Sequence, residues 1–311
     1  MDMGADVWVA TLDDPASTDI PGVEYEGHDL RHPSDCEFAV AGAGAVFHLA
    51  GIKASARASV EQPASHFVPS LQMNTNLLES ARLEGVKRLV FTSSIGAYPS
   101  AEVFTEGTTG DPMDFAGWTK LMAEFQIGAY RKQYGTDWSI VRPSNVYGPG
   151  DNFGEGAMVI PSLMAKIASR EPVVMWGTGY ETRDFVFSRD VAEGIILAAV
   201  HGTHSGVASY CNLGSGRGVT ILELLKTMQE VVNFDFKFDV TKPAGYPKRV
   251  MNQEYTKYKL GWEANTSLKD GLTETWEWFL DNRDEHLKRK NYFDNQRDET
   301  ARSHDVRAHG V

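Results

Sequence analysis

Ala45-Val46-Phe47-His48-Leu49-Ala50 and Arg88-Leu89-Val90-Phe91-Thr92 decide the fold. Both are short apolar runs bounded by turn residues, the composition of strands buried on both faces of a parallel sheet. Between them Leu71, Leu77, Leu78, Ala81 and Leu83 fall on one broad helical face, and Gly85 closes it. Downstream, residues 118–134 predict a helix stopped by Gly135, and residues 138–142 predict another strand. Upstream, residues 7–12 read as a strand, followed by an Asp13-Asp14-Pro15 turn and a weaker strand at 23–25. Strand and helix alternate with short joins, which implies βαβ crossovers and a Rossmann-like doubly wound parallel sheet in an α/β fold.

Beyond residue 150 the alternation loosens. Residues 160–168, 191–200, 221–232 and 268–280 predict helices. The expected organisation is a dinucleotide-binding half over 1–150, a smaller interleaved C-terminal substrate-binding lobe over 151–285, and a polar tail over 286–311.

The whole chain has 311 residues, with 30 Lys and Arg against 42 Asp and Glu, a formal charge of −12. That balance argues against a nucleic-acid or anionic-membrane partner, which would need a basic face. Hydrophobic residues make up 42%, enough for a core. Cys36 and Cys211 are the only cysteines and form no Cys-x-x-Cys pair, so no zinc site is expected and both read as reduced thiols. The acidic Met1–Asp6 stretch carries no secretory pattern, and no run of about 20 apolar residues spans a membrane. The expected compartment is the cytoplasm.

In an open parallel sheet, ligands sit beyond the carboxyl ends of the strands. Gly51 follows the first quoted strand and permits close backbone approach. Ser93-Ser94 follows the second, and Ser144-Asn145-Val146-Tyr147-Gly148 follows the strand at 138–142. Small, hydroxylic and amide groups therefore converge on one rim.

These motifs resemble the extended short-chain dehydrogenase/reductases that remodel nucleotide sugars. The resemblance rests on His48-Leu49-Ala50-Gly51, Thr92-Ser93-Ser94, Gly117-Trp118-Thr119-Lys120, Arg142-Pro143-Ser144-Asn145, Arg183-Asp184-Phe185-Val186 and Asn212-Leu213-Gly214-Ser215-Gly216. The second half is most similar to the GDP-L-fucose synthase-like branch. What the family implies is hydride exchange between a nicotinamide and a sugar carbon, with a Tyr phenol moving the proton. A Lys four residues later lowers the phenol's pKa and binds the nicotinamide ribose, and a Ser holds the reacting oxygen. Ser94 and Lys120 match the Ser and Lys, but the Tyr position is Ala116. A natural divergence and an engineered trap both produce that residue. Gly96 and Met158 stand where fucose synthases use a Cys and a His, so ring 3,5-epimerisation by that route is not expected. Ile95-Gly96 replaces the Asp-Glu pair of the 4,6-dehydratases.

The family's opening strand and Gly-x-x-Gly-x-x-Gly turn are absent as well. Met1–Asp6 matches the end of the helix that follows that turn, so the first βα unit is expected to be missing. Gly42-Ala43-Gly44-Ala45 precedes a strand and does not substitute. A shortened reading frame and weakened dinucleotide binding are the two explanations.

By resemblance, Asp29 and Leu30 contact adenine, and Ala50, Gly51, Lys120 and Pro143 line the cofactor. Asp13 would accept bonds from the adenosine ribose and repel a 2′-phosphate, which implies NAD. Thr11 is the alternative occupant, so NADP stays open. Asn145 and Ser94 would hold the sugar, Arg183 the diphosphate, Lys166 and Arg249 would add positive charge, and Trp176 would pack near the nucleobase. His48 reads as a packing residue, and Tyr98 is the one nearby phenol that could replace the missing Tyr. The implied partners are a nucleotide-diphosphate sugar and a second copy, through helices at 68–84 and 118–134. The function so implied is an NAD(P)-dependent nucleotide-sugar epimerase or 4-ketoreductase. The alternative is a non-catalytic binder that kept the fold and lost the proton relay.

Overall fold

A computed structural model describes residues 4–12, 22–52, 62–154, 156–203, 209–242 and 244–286. Asp13 and the tail from residue 287 onward lie outside them. In chain order the elements are β1 (Trp8–Thr11), β2 (Glu24–Gly27), α1 (Pro33–Val40), β3 (Ala45–His48), α2 (Ala64–Glu84), β4 (Arg88–Thr92), β5 (Val103–Phe104) and α3 (Phe115–Tyr134). Then come β6 (Ser139–Pro143), β7 (Asn145–Tyr147), α4 (Val159–Ala168), β8 (Val173–Trp176), β9 (Thr182–Phe187), α5 (Ser188–His201) and β10 (Cys211–Leu213). The chain closes with β11 (Gly218–Thr220), α6 (Ile221–Gln229), β12 (Phe236–Asp239), β13 (Lys248–Met251), α7 (Glu254–Leu260) and α8 (Leu268–His286).

A parallel sheet of order β10-β6-β4-β3 forms the centre of the first half. The parallel pair β1-β2 stands as a separate sheet. The later strands build a sheet of order β11-β9-β13-β5, with β7 paired to β9, and β8 pairs with β12. Beyond residue 150 the chain therefore sends β10 back into the first sheet, beside β6.

Helices end where the backbone turns left-handed. Gly85 (φ 74°) caps α2 and Gly135 (φ 69°) caps α3, positions where a Cβ is penalised. Helix α3 begins three residues before the expected start, because the Asp114 carboxylate accepts from the Gly117 N–H at 2.7 Å and caps the helix there. Leu77, Leu78 and Ala81 of α2 are buried with Cys36, Val40, Phe91, Ile127 and Trp138 in the core of the first half.

Two expectations need correction. The run at Ala45 is not buried on both faces: Ala45 is exposed and Phe47 is 43% exposed. Among the described residues β3 pairs with β4 alone, so it is an edge strand and its apolar composition meets solvent. Leu83 also leaves the core face of α2, at the solvent-facing end of the last turn.

The buried carboxylate of Asp184 on β9 joins the later strands. Its Oδ1 accepts from the Ser215 N–H (2.7 Å), the Ser215 hydroxyl (2.7 Å) and the Ser144 hydroxyl (3.3 Å). Its Oδ2 accepts from the N–H groups of Gly216 and Met251, both at 3.1 Å. Gly214 makes this possible, since a Cβ there would stand 2.7 Å from Asp184 Oδ2.

Candidate active site

The carboxyl end of β4, the start of α3 and the end of β3 meet at one rim. Lys120, in the second turn of α3, donates from Nζ to the Thr92 carbonyl at 2.8 Å and lies 5.0 Å from the centre of the Phe91 ring. A Cβ at Gly51 would meet Lys120 Nζ at 3.5 Å and nothing else within 4 Å, so the amine faces an open glycine. Burial lowers the Lys120 pKa to about 8, with Glu124 pulling weakly the other way. Ala116 lies one turn before Lys120, exposed, its side chain a bare methyl.

Ser94 caps the short 3-10 turn Ile95–Ala97, its Oγ accepting from the Gly96 N–H at 3.0 Å. Its own O–H is left to donate to a ligand. Gly96 and Gly117 bring that turn against α3: a Cβ on Gly117 would lie 2.1 Å from the Gly96 oxygen and 2.9 Å from Pro112 Cβ. Gly117→Ala should therefore lose about 1–3 kcal/mol instead of the usual gain for a helical Gly→Ala change. A lower denaturant midpoint at unchanged slope checks it, and an unchanged midpoint would show that the turn yields freely.

A buried ion pair backs this rim. Arg142 donates from Nε to Glu124 Oε1 (2.9 Å) and from Nη2 to Oε2 (2.6 Å), and the Ser93 hydroxyl also donates to Glu124. The guanidinium stacks on Tyr210 (3.7 Å to the ring centre) and Tyr98 (4.2 Å). Glu124 and Ser93 are not among the expected site residues; the one available signal is the placement of Glu124 one turn beyond Lys120.

Tyr98 cannot stand in for the missing phenol. It is buried, and its hydroxyl donates to Asn212 Oδ1 at 2.8 Å. Burial drives its pKa upward, away from proton exchange near neutrality. His48 is buried, with Nε2 paired to Asn74 Oδ1 at 2.8 Å. Burial, reinforced by Lys120, lowers its pKa to about 3, so it is a neutral packing residue as expected.

After β2, the Asp29 carboxylate takes four bonds from three donors of Arg31, the backbone N–H, Nε and Nη2, and the side-chain bonding holds its pKa down. Leu30 is buried in the first core, and its carbonyl accepts from the buried Cys36 thiol. Ala50 is half-buried and Pro143 is buried at the end of β6, opposite Leu213.

A second cavity, of about 400 Å³, gathers Asn145, Lys166, Trp176 and Arg183 with Met158 and Gly245 in its lining. Asn145 is oriented by donation to the Asp184 carbonyl at 2.8 Å. Trp176 is 61% exposed, with the Lys242 ammonium 5.9 Å from its ring centre. The loop after it is tied to Glu181, whose carboxylate accepts from Thr178 N and Oγ1 and from Gly179 N. Arg249 does not line this cavity but stands beside it, in register with Arg183 across the parallel pair β9–β13. Arg183 Nη1 donates to the Thr182 and Tyr246 carbonyls, and Arg249 Nη2 to the Ile95 carbonyl at 3.3 Å. Neither forms a salt bridge among the described residues. Burial lowers both pKa values, and the Arg249 charge lowers that of Arg183 further. Two adjacent cations, which the Glu181 and Asp114 carboxylates act on only without a salt bridge, can receive an anion.

The NAD dependent epimerase/dehydratase family profile matches residues 2–214. GDP-L-fucose synthase 1 of Arabidopsis thaliana is 36% identical over 235 residues, covering 71% of this chain and 72% of that protein. UDP-glucose 4-epimerase of Thermotoga maritima, solved with UDP-glucose, superposes with a TM-score of 0.80 at 26% identity, over 91% of this chain and 93% of that one. UDP-glucose 4-epimerase of Thermus thermophilus, solved with NAD, gives 0.72 at 28% identity, over 84% and 86%. The α/β architecture with its parallel-strand sheets is that of Rossmann-fold epimerases. The chain belongs to the NAD dependent epimerase/dehydratase family. Its members are enzymes of isomerase and oxidoreductase type, and their cofactor is NAD.

The polar groups present fit the nicotinamide-ribose end of that cofactor. Lys120 directs one N–H to Thr92, Gly51 leaves backbone open beside it, and Thr92 Oγ1 and His48 Nδ1 are buried without a partner among the described residues. Neither of the first two helices opens on a glycine-rich turn: α1 starts at Pro33 after His32, and α2 at Ala64 after Pro63.

Proposed function

We propose that the chain is an NAD-dependent nucleotide-diphosphate-sugar epimerase or 4-ketoreductase. The observation that carries this reading is the unpaired Arg183–Arg249 couple beside the cavity lined by Asn145, Lys166 and Trp176. A diphosphate would neutralise the two guanidinium groups, Lys166 would add charge, and Trp176 would cover a nucleobase. Asn145 and the Ser94 hydroxyl would orient the sugar. Lys120, Gly51, Ala50 and Pro143 would hold the nicotinamide end, with Asp29 and Leu30 near adenine. Bound NAD supplies the redox partner that withdraws or returns two electrons and a hydrogen at a sugar carbon. Residues 1–150 serve the cofactor in this reading and 151–285 the sugar.

We further assign a homodimer through α2 and α3, supported by the exposed apolar side chains of Val68, Met122 and Phe125, in the cytoplasm. Ala116 favours a second reading, a binder without turnover. Calorimetry with a panel of nucleotide-diphosphate sugars, alongside absorbance of the reduced nicotinamide, separates the two. Failure of every sugar nucleotide to bind would remove both.

A further inference from the structure

We propose that Lys120, through one water in the space left by Ala116, is the group that exchanges the substrate's hydroxyl proton in this chain. The proposal rests on the function just given. It starts from what is missing: the side chain one turn before Lys120 is a methyl, Gly96 has no side chain, Tyr98 is tied to Asn212, and His48 is buried and tied to Asn74. Of Lys120, Tyr98, His48 and Glu124, only Lys120 is partly exposed, with the side-chain-free Gly51 beside its amine.

Its surroundings suit a neutral amine. Among the described residues the ammonium form has one hydrogen bond, to the Thr92 carbonyl, and lies by the Phe91 ring. From β3 it faces His48, which is uncharged. From its own helix it faces Glu124, whose carboxylate is already engaged by Arg142 and Ser93. The charge is thus only weakly compensated, and its pKa of about 8 follows from that burial. A lysine so placed acts as a base near neutrality, where an exposed one does not.

The step balances as follows. The sugar O–H bond breaks as its proton passes to the water oxygen, while a water proton passes to Lys120 Nζ and turns the amine into an ammonium. The hydrogen on the same sugar carbon leaves with two electrons to the oxidised nicotinamide dinucleotide, so the alcohol becomes a ketone and the dinucleotide is reduced. Return of both to the opposite face of the ketone would give the epimer, and delivery of both to a ketone substrate would run the step in the reducing direction. Ser94 donates its O–H to the reacting oxygen throughout.

Competitive acylation of the whole protein, read residue by residue by mass spectrometry from about pH 6 to about pH 11, tests the amine without any turnover. Half-reaction of Lys120 near pH 8 is expected. A profile centred near 10.5, the value of an ordinary lysine, overturns the proposal. Lys120→Arg keeps the positive charge but cannot give up a proton. It should bind the nucleotide-diphosphate sugar within about threefold of the parent and lose about 100-fold or more in turnover. Turnover retained in Lys120→Arg overturns the proposal. So does a parent protein that binds NAD and the sugar nucleotide yet exchanges no hydrogen, an outcome that leaves the binding reading standing. Loss of sugar-nucleotide binding in the parent would instead remove the functional reading itself. In Ala116→Tyr the restored phenol takes over, and the rise of rate with pH should move below that of the parent.

Discussion

Glu124→Ala is expected to cost about 3–5 kcal/mol of stability, the largest effect of any single substitution near the rim. The reason is what it leaves behind. Arg142 is 2% exposed, and its guanidinium lies between two tyrosine rings with Glu124 as its only salt-bridged carboxylate among the described residues. Removing the carboxylate strands a buried cation and frees the Ser93 hydroxyl together. Glu124→Gln keeps an acceptor and should cost less. Chemical denaturation followed by tryptophan fluorescence would measure both, Trp138 being buried in the same core. A loss under 1 kcal/mol for the alanine variant, well short of the cost of an uncompensated buried charge, would mean that water reaches Arg142.

Arg183→Ala combined with Arg249→Ala should weaken binding of a nucleotide-diphosphate sugar by about 100-fold or more, since each charged hydrogen bond to phosphate contributes about 1.5–3 kcal/mol. Stability should fall far less than after loss of Glu124, because the two cations repel each other and neither is in a salt bridge among the described residues. Titration calorimetry against thermal melting reads the two effects apart. If affinity holds while the melting temperature drops, the pair serves the fold and the diphosphate lies elsewhere. The affinity of the parent should also decline with added salt.

The sheet was legible because its strands carry their own signature. The β4 run has the same bounds in sequence and structure, and the residues at Trp118 and beyond follow helical spacing up to Gly135. The error at Phe47 has a physical origin: apolar composition says that a strand tolerates burial, whereas burial itself depends on which strands lie beside it. Ser94 and Lys120 could be located because short local spacings fix them at a strand end and in a helix turn. The Arg183–Arg249 couple was not legible as a pair, since it depends on the register of two parallel strands far apart in the chain. For the same reason the local neighbourhood of Ser94 made Tyr98 look available. Its partner Asn212 is 114 residues away.

Asp184 has a mechanical consequence. Its carboxylate rivets the ends of β6, β9 and β13 to the loop after β10, through one Ser144 bond, two Ser215 bonds, and the amides of Gly216 and Met251. Sliding any of these segments past another would break bonds to a buried anion, so they travel as one rigid block. Arg183 and Asn145 ride on that block, one as its chain neighbour and the other through its carbonyl. The cavity therefore has a fixed floor. Its other wall, the Trp176–Glu181 loop, is held by the Glu181 carboxylate, and Gly177 and Gly179, with φ of 89° and 84°, let the chain turn there.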